Sequence, residues 1–133
     1  MKEFALEPAR LAATLETLRV KIEQAGRQRG AALAELNGFI SPSGEETRGL
    51  AWELERLRLT AMIKLAHSEA DDRGRAPAKD LLAAMVEAHL LDEYADLHAR
   101  VGLLESTEKI LAAKLRRLEV EMSAVQSQIK ACG

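Results

Sequence analysis

The segment that decides the fold is residues 90–129, which read LLDEYADLHARVGLLESTEKILAAKLRRLEVEMSAVQSQI. Mostly apolar residues recur in it at alternating steps of four and three. The positions of this repeat, called the heptad seam below, are Leu90, Tyr94, Leu97, Val101, Leu104, Glu108, Leu111, Leu115, Leu118, Met122, Val125 and Ile129. Such a period keeps one stripe of a helix facing another helix, which is the pattern of a coiled coil. The sequence therefore predicts a long C-terminal helix whose apolar stripe packs on a partner helix.

The rest of the chain also favours helices. Hydrophobic residues make up 47% of the 133 residues but aromatic residues only 3%, and Ala, Leu, Glu and Arg, all strong helix formers, dominate. No run of alternating β-branched residues indicates a strand. The fold class expected is all-α, a helical hairpin or three-helix arrangement in one domain spanning 1–133, with helices at about 8–36, 44–70 and 77–130.

Local signals set these bounds. Pro8 suits the first turn of a helix, and Asn37-Gly38 supplies a left-handed stop for it. Two glycines inside this helix weaken it, so a local break is an alternative. Ser43 and Glu46 have the spacing of a capping box, which places the second helix start near residue 44. The second helix is apolar on two sides, which predicts a middle position in a bundle or between chains.

Self-association is expected through the heptad seam. With leucine at the d positions, the flanking pairs Arg100–Glu105 and Lys114–Glu119 are attractive in a parallel homodimer. A third helix as long as 77–130 outruns the first two, so part of its stripe requires a second molecule. The alternative is that the seam packs on the other two helices of the same chain, and parallel and antiparallel association both remain open.

Glu108 is a charged interruption of the heptad seam, and Arg29 is a matching interruption of a similar repeat in the first helix. A buried carboxylate must be paired, protonated or near water. We hypothesise that Arg29 and Glu108 form a buried ion pair, which a parallel alignment of the two helices with an offset of 79 residues would allow. The alternative is that both side chains reach water independently.

No residue pattern indicates catalysis, a bound metal or a cofactor. The acidic residues Glu87, Asp92, Glu93 and Asp96 lie among apolar neighbours and predict a face that docks on a basic protein partner. A metal site beside His89 would need ligands from a second chain, and a surface acidic patch is the simpler interpretation.

Net charge and cysteine content indicate the expected partners and location of the chain. The net charge is −2, and the formal charge is +1 over residues 1–40, −1 over 41–75 and −2 over 76–133, so bulk electrostatics favour neither nucleic acid nor a membrane. Charges interrupt every apolar stretch, and the single Cys132 suits a reducing compartment, so a cytoplasmic location without membrane contact is expected.

The function expected is that of a non-enzymatic scaffold, adaptor or inhibitor of a larger complex, which binds an unidentified protein partner and self-associates. The alternative is a dimeric accessory protein that binds nucleic acid. Clusters of Arg and Lys in the first and third helices support this alternative, but interspersed acidic residues weaken it. Solvated helix faces account for these charges in most proteins.

Overall fold

The computed structural model describes the backbone of residues 2–132 and the side chains of residues 7–132. This part of the chain forms four α-helices: α1 (Lys2–Asn37), α2 (Leu50–Ser68), α3 (Lys79–Glu93) and α4 (Ala95–Cys132). The expected all-α fold with a long C-terminal helix is confirmed. The first and last residues of the expected domain, Met1 and Gly133, lie outside the described residues. A single domain over 1–133 stays a prediction.

The first helix starts earlier than expected. α1 begins at Lys2, so Pro8 lies inside the helix instead of at its first position. The proline ring fixes φ near the helical value and removes one hydrogen bond, a cost the strong helix formers on both sides can offset. The helix also continues without a break through Gly26 and Gly30. It ends where the sequence indicates, because Gly38 has a φ of 86°.

A two-stranded ribbon replaces the expected start of the second helix. Strands β1 (Gly38–Ile40) and β2 (Glu46–Arg48) pair antiparallel, with Gly38 opposite Arg48. Ser41 closes the turn between them: its Oγ accepts a bond of 3.1 Å from the Glu45 N–H. The capping box at Ser43 was therefore a wrong prediction, since α2 begins only at Leu50, after Gly49. The Pro and Gly of this segment favour a tight turn over a helix.

The expected continuous helix over 77–130 is broken at Tyr94. This residue has φ −131° and ψ 41°, and its N–H still bonds the Leu90 carbonyl at 2.8 Å. Asp96 lies in the first turn of α4, where a carboxylate interacts favourably with the positive end of the helix dipole. Tyr94 is 37% exposed at this break, while Leu90 is fully buried. The heptad seam therefore belongs to two helices and not to one rod.

The chain divides into two compact units. The terminal unit comprises the residues through Ala32 and those from Ser106 onward, and the central unit is Leu33–Glu105. The buried apolar residues of the terminal unit are Leu18, Ala25, Ala32, Leu111 and Leu118. Those of the central unit are Leu36, Leu54, Ala61, Val86, Leu90, Val101 and Leu104. Each unit thus has its own apolar core.

Candidate functional site

The heptad seam is largely covered within a single chain. Five of its positions are buried: Leu90, Val101 and Leu104 in the central unit, and Leu111 and Leu118 in the terminal unit. Six others are half-buried: Leu97, Glu108, Leu115, Met122, Val125 and Ile129. Only Tyr94 counts as exposed. The seam as an interface between chains stays a prediction, but the five buried leucine and valine side chains need no second chain to leave water.

The structure brings Arg29 and Glu108 together inside the terminal unit. The Arg29 guanidinium donates to Glu108 Oε1 from Nε at 3.0 Å and from Nη2 at 2.9 Å. The side chains keep 40% and 20% of their exposure, so the pair is partly buried.

The direction of pairing, however, is the reverse of the one hypothesised. Leu15 and Ile129 line one cleft of the terminal unit, and Lys21 and Arg117 line another. Residues that come later in α1 therefore lie beside residues that come earlier in α4, so the two segments run antiparallel. The parallel alignment with an offset of 79 residues was wrong.

The four acidic residues of the expected partner face do not form one cluster. Asp92, Glu93 and Asp96 are exposed around the break between α3 and α4, where they line a shallow depression together with Tyr94. Glu87 instead takes part in ion pairs between helices of the central unit. The docking of a basic partner on the remaining three residues stays a prediction.

Glu87 joins α2, α3 and α4. Its Oε1 accepts a bond of 2.8 Å from Arg58 Nε, and its Oε2 lies 3.5 Å from His98 Nε2. Burial lowers the pKa of Arg58, but its hydrogen bonds to Glu55 and Glu87 outweigh that effect, and the net pKa is raised. These charged contacts fix how α2 lies on α3 in the central unit.

A bidentate pair performs a similar role between α1 and α4. Arg100 donates from Nε to Glu35 Oε1 at 2.9 Å and from Nη2 to Oε2 at 2.7 Å. The hydrogen bond from Arg100 lowers the pKa of the Glu35 carboxyl. Both residues belong to the central unit.

The most prominent surface feature of the central unit is an apolar stripe on α2, called the α2 face below, which consists of Trp52, Leu59, Met62 and Ile63. Steps of seven and four residues place Trp52, Leu59 and Ile63 on one side of the helix, with Met62 adjacent. Their exposure ranges from 42% to 60%. The opposite side of α2 carries the buried Leu54 and Ala61 and contacts α3. The α2 face is therefore an unpartnered second side of a helix whose first side is already packed.

Charged groups frame the start of the α2 face. The guanidinium of Arg48, on β2, lies 4.2 Å from the centroid of the Trp52 ring, within the range of a cation–π contact. Next to it, Arg56 Nη2 donates to Glu53 Oε1 at 2.6 Å. This hydrogen bond lowers the pKa of Glu53 and raises that of Arg56. The β-ribbon and the first turns of α2 thus hold Trp52 in a fixed environment.

The described part of the chain lacks two features that define many functional sites. In this part of the chain no three His, Cys, Asp or Glu side chains gather closely enough to hold a metal ion. None of the described helices combines the length and apolarity needed to cross a bilayer. Comparisons with known protein families, curated proteins and solved structures found no match for this chain.

The α2 face was visible in the sequence as a second apolar set, but its exposure was not. A helix with two apolar sides is compatible with the centre of a bundle as well as with a surface. Only the positions of α1, α3 and α4 decide which side is covered, and the sequence does not specify them.

Proposed function

We propose that this chain is a non-enzymatic protein-binding scaffold that self-associates through the α2 face. The observation that carries the proposal is the set of four large apolar side chains, each at least 42% exposed, on one side of a single helix. Contiguous apolar patches of this kind are uncommon on monomeric proteins and mark interaction sites. Their burial against another chain would remove Trp52 and its neighbours from water.

A second copy of the chain fits the face in an antiparallel arrangement. With Leu59 on a two-fold axis, Trp52 lies opposite the partner's Ala66, seven residues to the other side, and a large side chain meets a small one. The same arrangement sets Glu53, in the first turn of α2, near the partner's Lys64. Side-chain size and charge are thus both complementary in the antiparallel dimer.

The proposed interface differs from the heptad seam, and two substitutions separate them. Leu59 is exposed on the α2 face, so Leu59→Asp should leave the chain folded and abolish the dimer. Leu104 is only 5% exposed in the core, so Leu104→Asp should unfold the central unit because it buries a charge. Leu103→Asp is the matched control, since Leu103 is 57% exposed on α4 and away from the α2 face.

The measurement is light scattering at micromolar concentration, with far-UV circular dichroism to check folding. The wild type and Leu103→Asp should have twice the 14.6 kDa mass of one chain, and Leu59→Asp should have 14.6 kDa with full helicity. A monomeric wild type, or a dimeric Leu59→Asp, would contradict the proposal. A folded, monomeric Leu104→Asp would assign the dimer to the heptad seam instead.

A further inference from the structure

The two compact units carry opposite charges. The terminal unit contains eleven Lys and Arg residues and seven Asp and Glu residues, a formal charge of +4. The central unit contains eight basic and fourteen acidic residues, a formal charge of −6. The net charge of −2 of the whole chain therefore conceals a basic unit formed by its two terminal segments.

Basic side chains from both helices of the terminal unit meet in one groove. The residues that line it are Lys21, Gln24, Lys114, Arg117, Leu118 and Glu121. Among the ion pairs of the described residues, none involves Lys21, Lys114 or Arg117. Most other arginines of the terminal unit are already paired, Arg27 with Glu23 and Arg29 with Glu108, for example.

Three cations and the Glu121 carboxylate line the groove, so its formal charge is +2 and its cations repel each other. An anionic ligand would remove this repulsion. We propose that the groove binds the phosphodiester backbone of nucleic acid through Lys21, Lys114 and Arg117. This site lies in the terminal unit and does not depend on the α2 face.

The charge density of a duplex favours phosphates over an acidic peptide as the ligand. A duplex presents one negative charge for about every 1.7 Å of its axis, so several phosphates reach one short groove together. An extended acidic peptide presents neighbouring carboxylates on opposite sides of its backbone, so only alternate ones can face the groove. The described side chains of the terminal unit include no aromatic ring, so recognition rests on charge and not on stacking with bases.

The salt dependence of binding gives the test its magnitude. Three phosphate contacts predict a slope near −2.7 of log affinity against log salt, or about a 40-fold loss between about 50 and about 200 mM salt for a duplex of about 20 base pairs. The variant Lys21→Gln with Arg117→Gln keeps one contact, so its loss over this interval should be about 3- to 4-fold. Its affinity at the lower salt concentration should also be weaker.

A control with the same net charge separates the groove from bulk electrostatics. The variant Arg73→Gln with Lys79→Gln removes two cations from the central unit and should bind the duplex as the wild type does. The monomeric Leu59→Asp variant should bind the duplex, and the slope of its log affinity against log salt should be unchanged. Failure of the proposed self-association and failure of this site are therefore distinguishable. Circular dichroism verifies that every variant is helical.

Fluorescence anisotropy provides the readout, with labelled duplex as the ligand in one titration and labelled polyglutamate in another. Binding with the steep slope, lost in the groove variant and kept in the control, would support the site. The proposal is overturned if the duplex does not bind at low salt, or if both double variants weaken binding equally. Binding of polyglutamate without binding of the duplex would assign the groove to an acidic protein and would also overturn it.

Discussion

The ion pair between Arg29 and Glu108 permits a quantitative test of how the terminal unit is held together. Nε and Nη2 of Arg29 bond the same carboxylate oxygen of Glu108, at 3.0 and 2.9 Å, in a row of otherwise apolar positions. Breaking a fully buried pair costs about 3 to 5 kcal/mol, whereas exposed pairs contribute about 0.2 to 1 kcal/mol. Arg29 retains 40% of its exposure, so we expect a coupling energy of about 1 kcal/mol, at the top of the exposed range.

A double-mutant cycle with leucine measures this coupling. Arg29→Leu leaves the carboxylate, which is the more buried partner, without a donor, and should lower the free energy of unfolding by about 1 to 2 kcal/mol. Glu108→Leu leaves a guanidinium that can reach water and should cost less. The double variant places two apolar side chains in the row and should cost about 1 kcal/mol less than the sum of the two single variants.

Urea unfolding followed by circular dichroism at 222 nm is the appropriate assay, because the helical signal includes the terminal unit. Fluorescence of Trp52 reports on the central unit and serves as an internal control. A coupling energy below about 0.3 kcal/mol, within the scatter of additive effects, would show that the two side chains act independently. A double variant less stable than both single variants would also refute the reasoning.

Three further predictions concern stability. Gly26→Ala and Gly30→Ala should each raise the unfolding free energy by about 1 kcal/mol and the melting temperature by roughly 3 to 4 °C, because an added Cβ meets open space in a helix. Leu90→Ala should lower the unfolding free energy by about 3 kcal/mol, measured in urea, because this side chain is fully buried. Arg100 lowers the pKa of Glu35, so the ionised carboxyl stabilises the fold above the ordinary pKa of 4.5. This contribution is lost as the pH falls through the lower folded-state pKa. An NMR titration of Glu35 should show a higher pKa in Arg100→Gln than in the wild type.

The first two of these predictions have matched controls. Gly49→Ala should destabilise the chain, because its Cβ would overlap the backbone carbonyl of Leu36. Leu103→Ala should change stability little, since Leu103 is largely exposed. Stability lost in Gly26→Ala, or an equal cost for the alanine variants of Leu90 and Leu103, would contradict the assigned burial. A Glu35 pKa unaffected by Arg100→Gln would contradict the ion pair.

The helical class and the long C-terminal helix followed from the sequence because helix propensity and hydrophobic period are local properties. The break at Tyr94 did not. Steps of four residues from Leu82 to Tyr94 indicate a change of environment, and the structure ends α3 at that point. Periodicity alone, however, cannot distinguish a shift of the apolar stripe from an interruption of the backbone.

The sequence selected Arg29 and Glu108 as partners but could not determine the direction of their helices. Any pair of positions fits one parallel offset and one antiparallel alignment, and a heptad repeat reads the same in both directions. Direction depends on further contacts, such as those that place Leu15 near Ile129. These contacts link distant segments and leave no local pattern in the sequence.

The expectation of a second chain on the heptad seam rested on helix length. A helix over 77–130 would outrun its neighbours, but the break leaves α4 with 38 residues, close to the 36 of α1. The expected excess of uncovered stripe disappears with that change. The apolar surface left in the central unit lies mainly elsewhere and includes the α2 face, which is why self-association is proposed there.

The two proposed surfaces differ in their response to salt. The contiguous segments 1–40, 41–75 and 76–133 have formal charges between +1 and −2, so a count along the chain misses the basic unit that the two terminal segments form together. Added salt should release nucleic acid from the groove, because the release of counterions that drives binding becomes less favourable. The same salt should leave the dimer at the α2 face largely intact, because burial of apolar side chains carries no charge to screen. If the dimer and the complex with nucleic acid dissociated at the same salt concentration, one electrostatic contact would underlie both interactions.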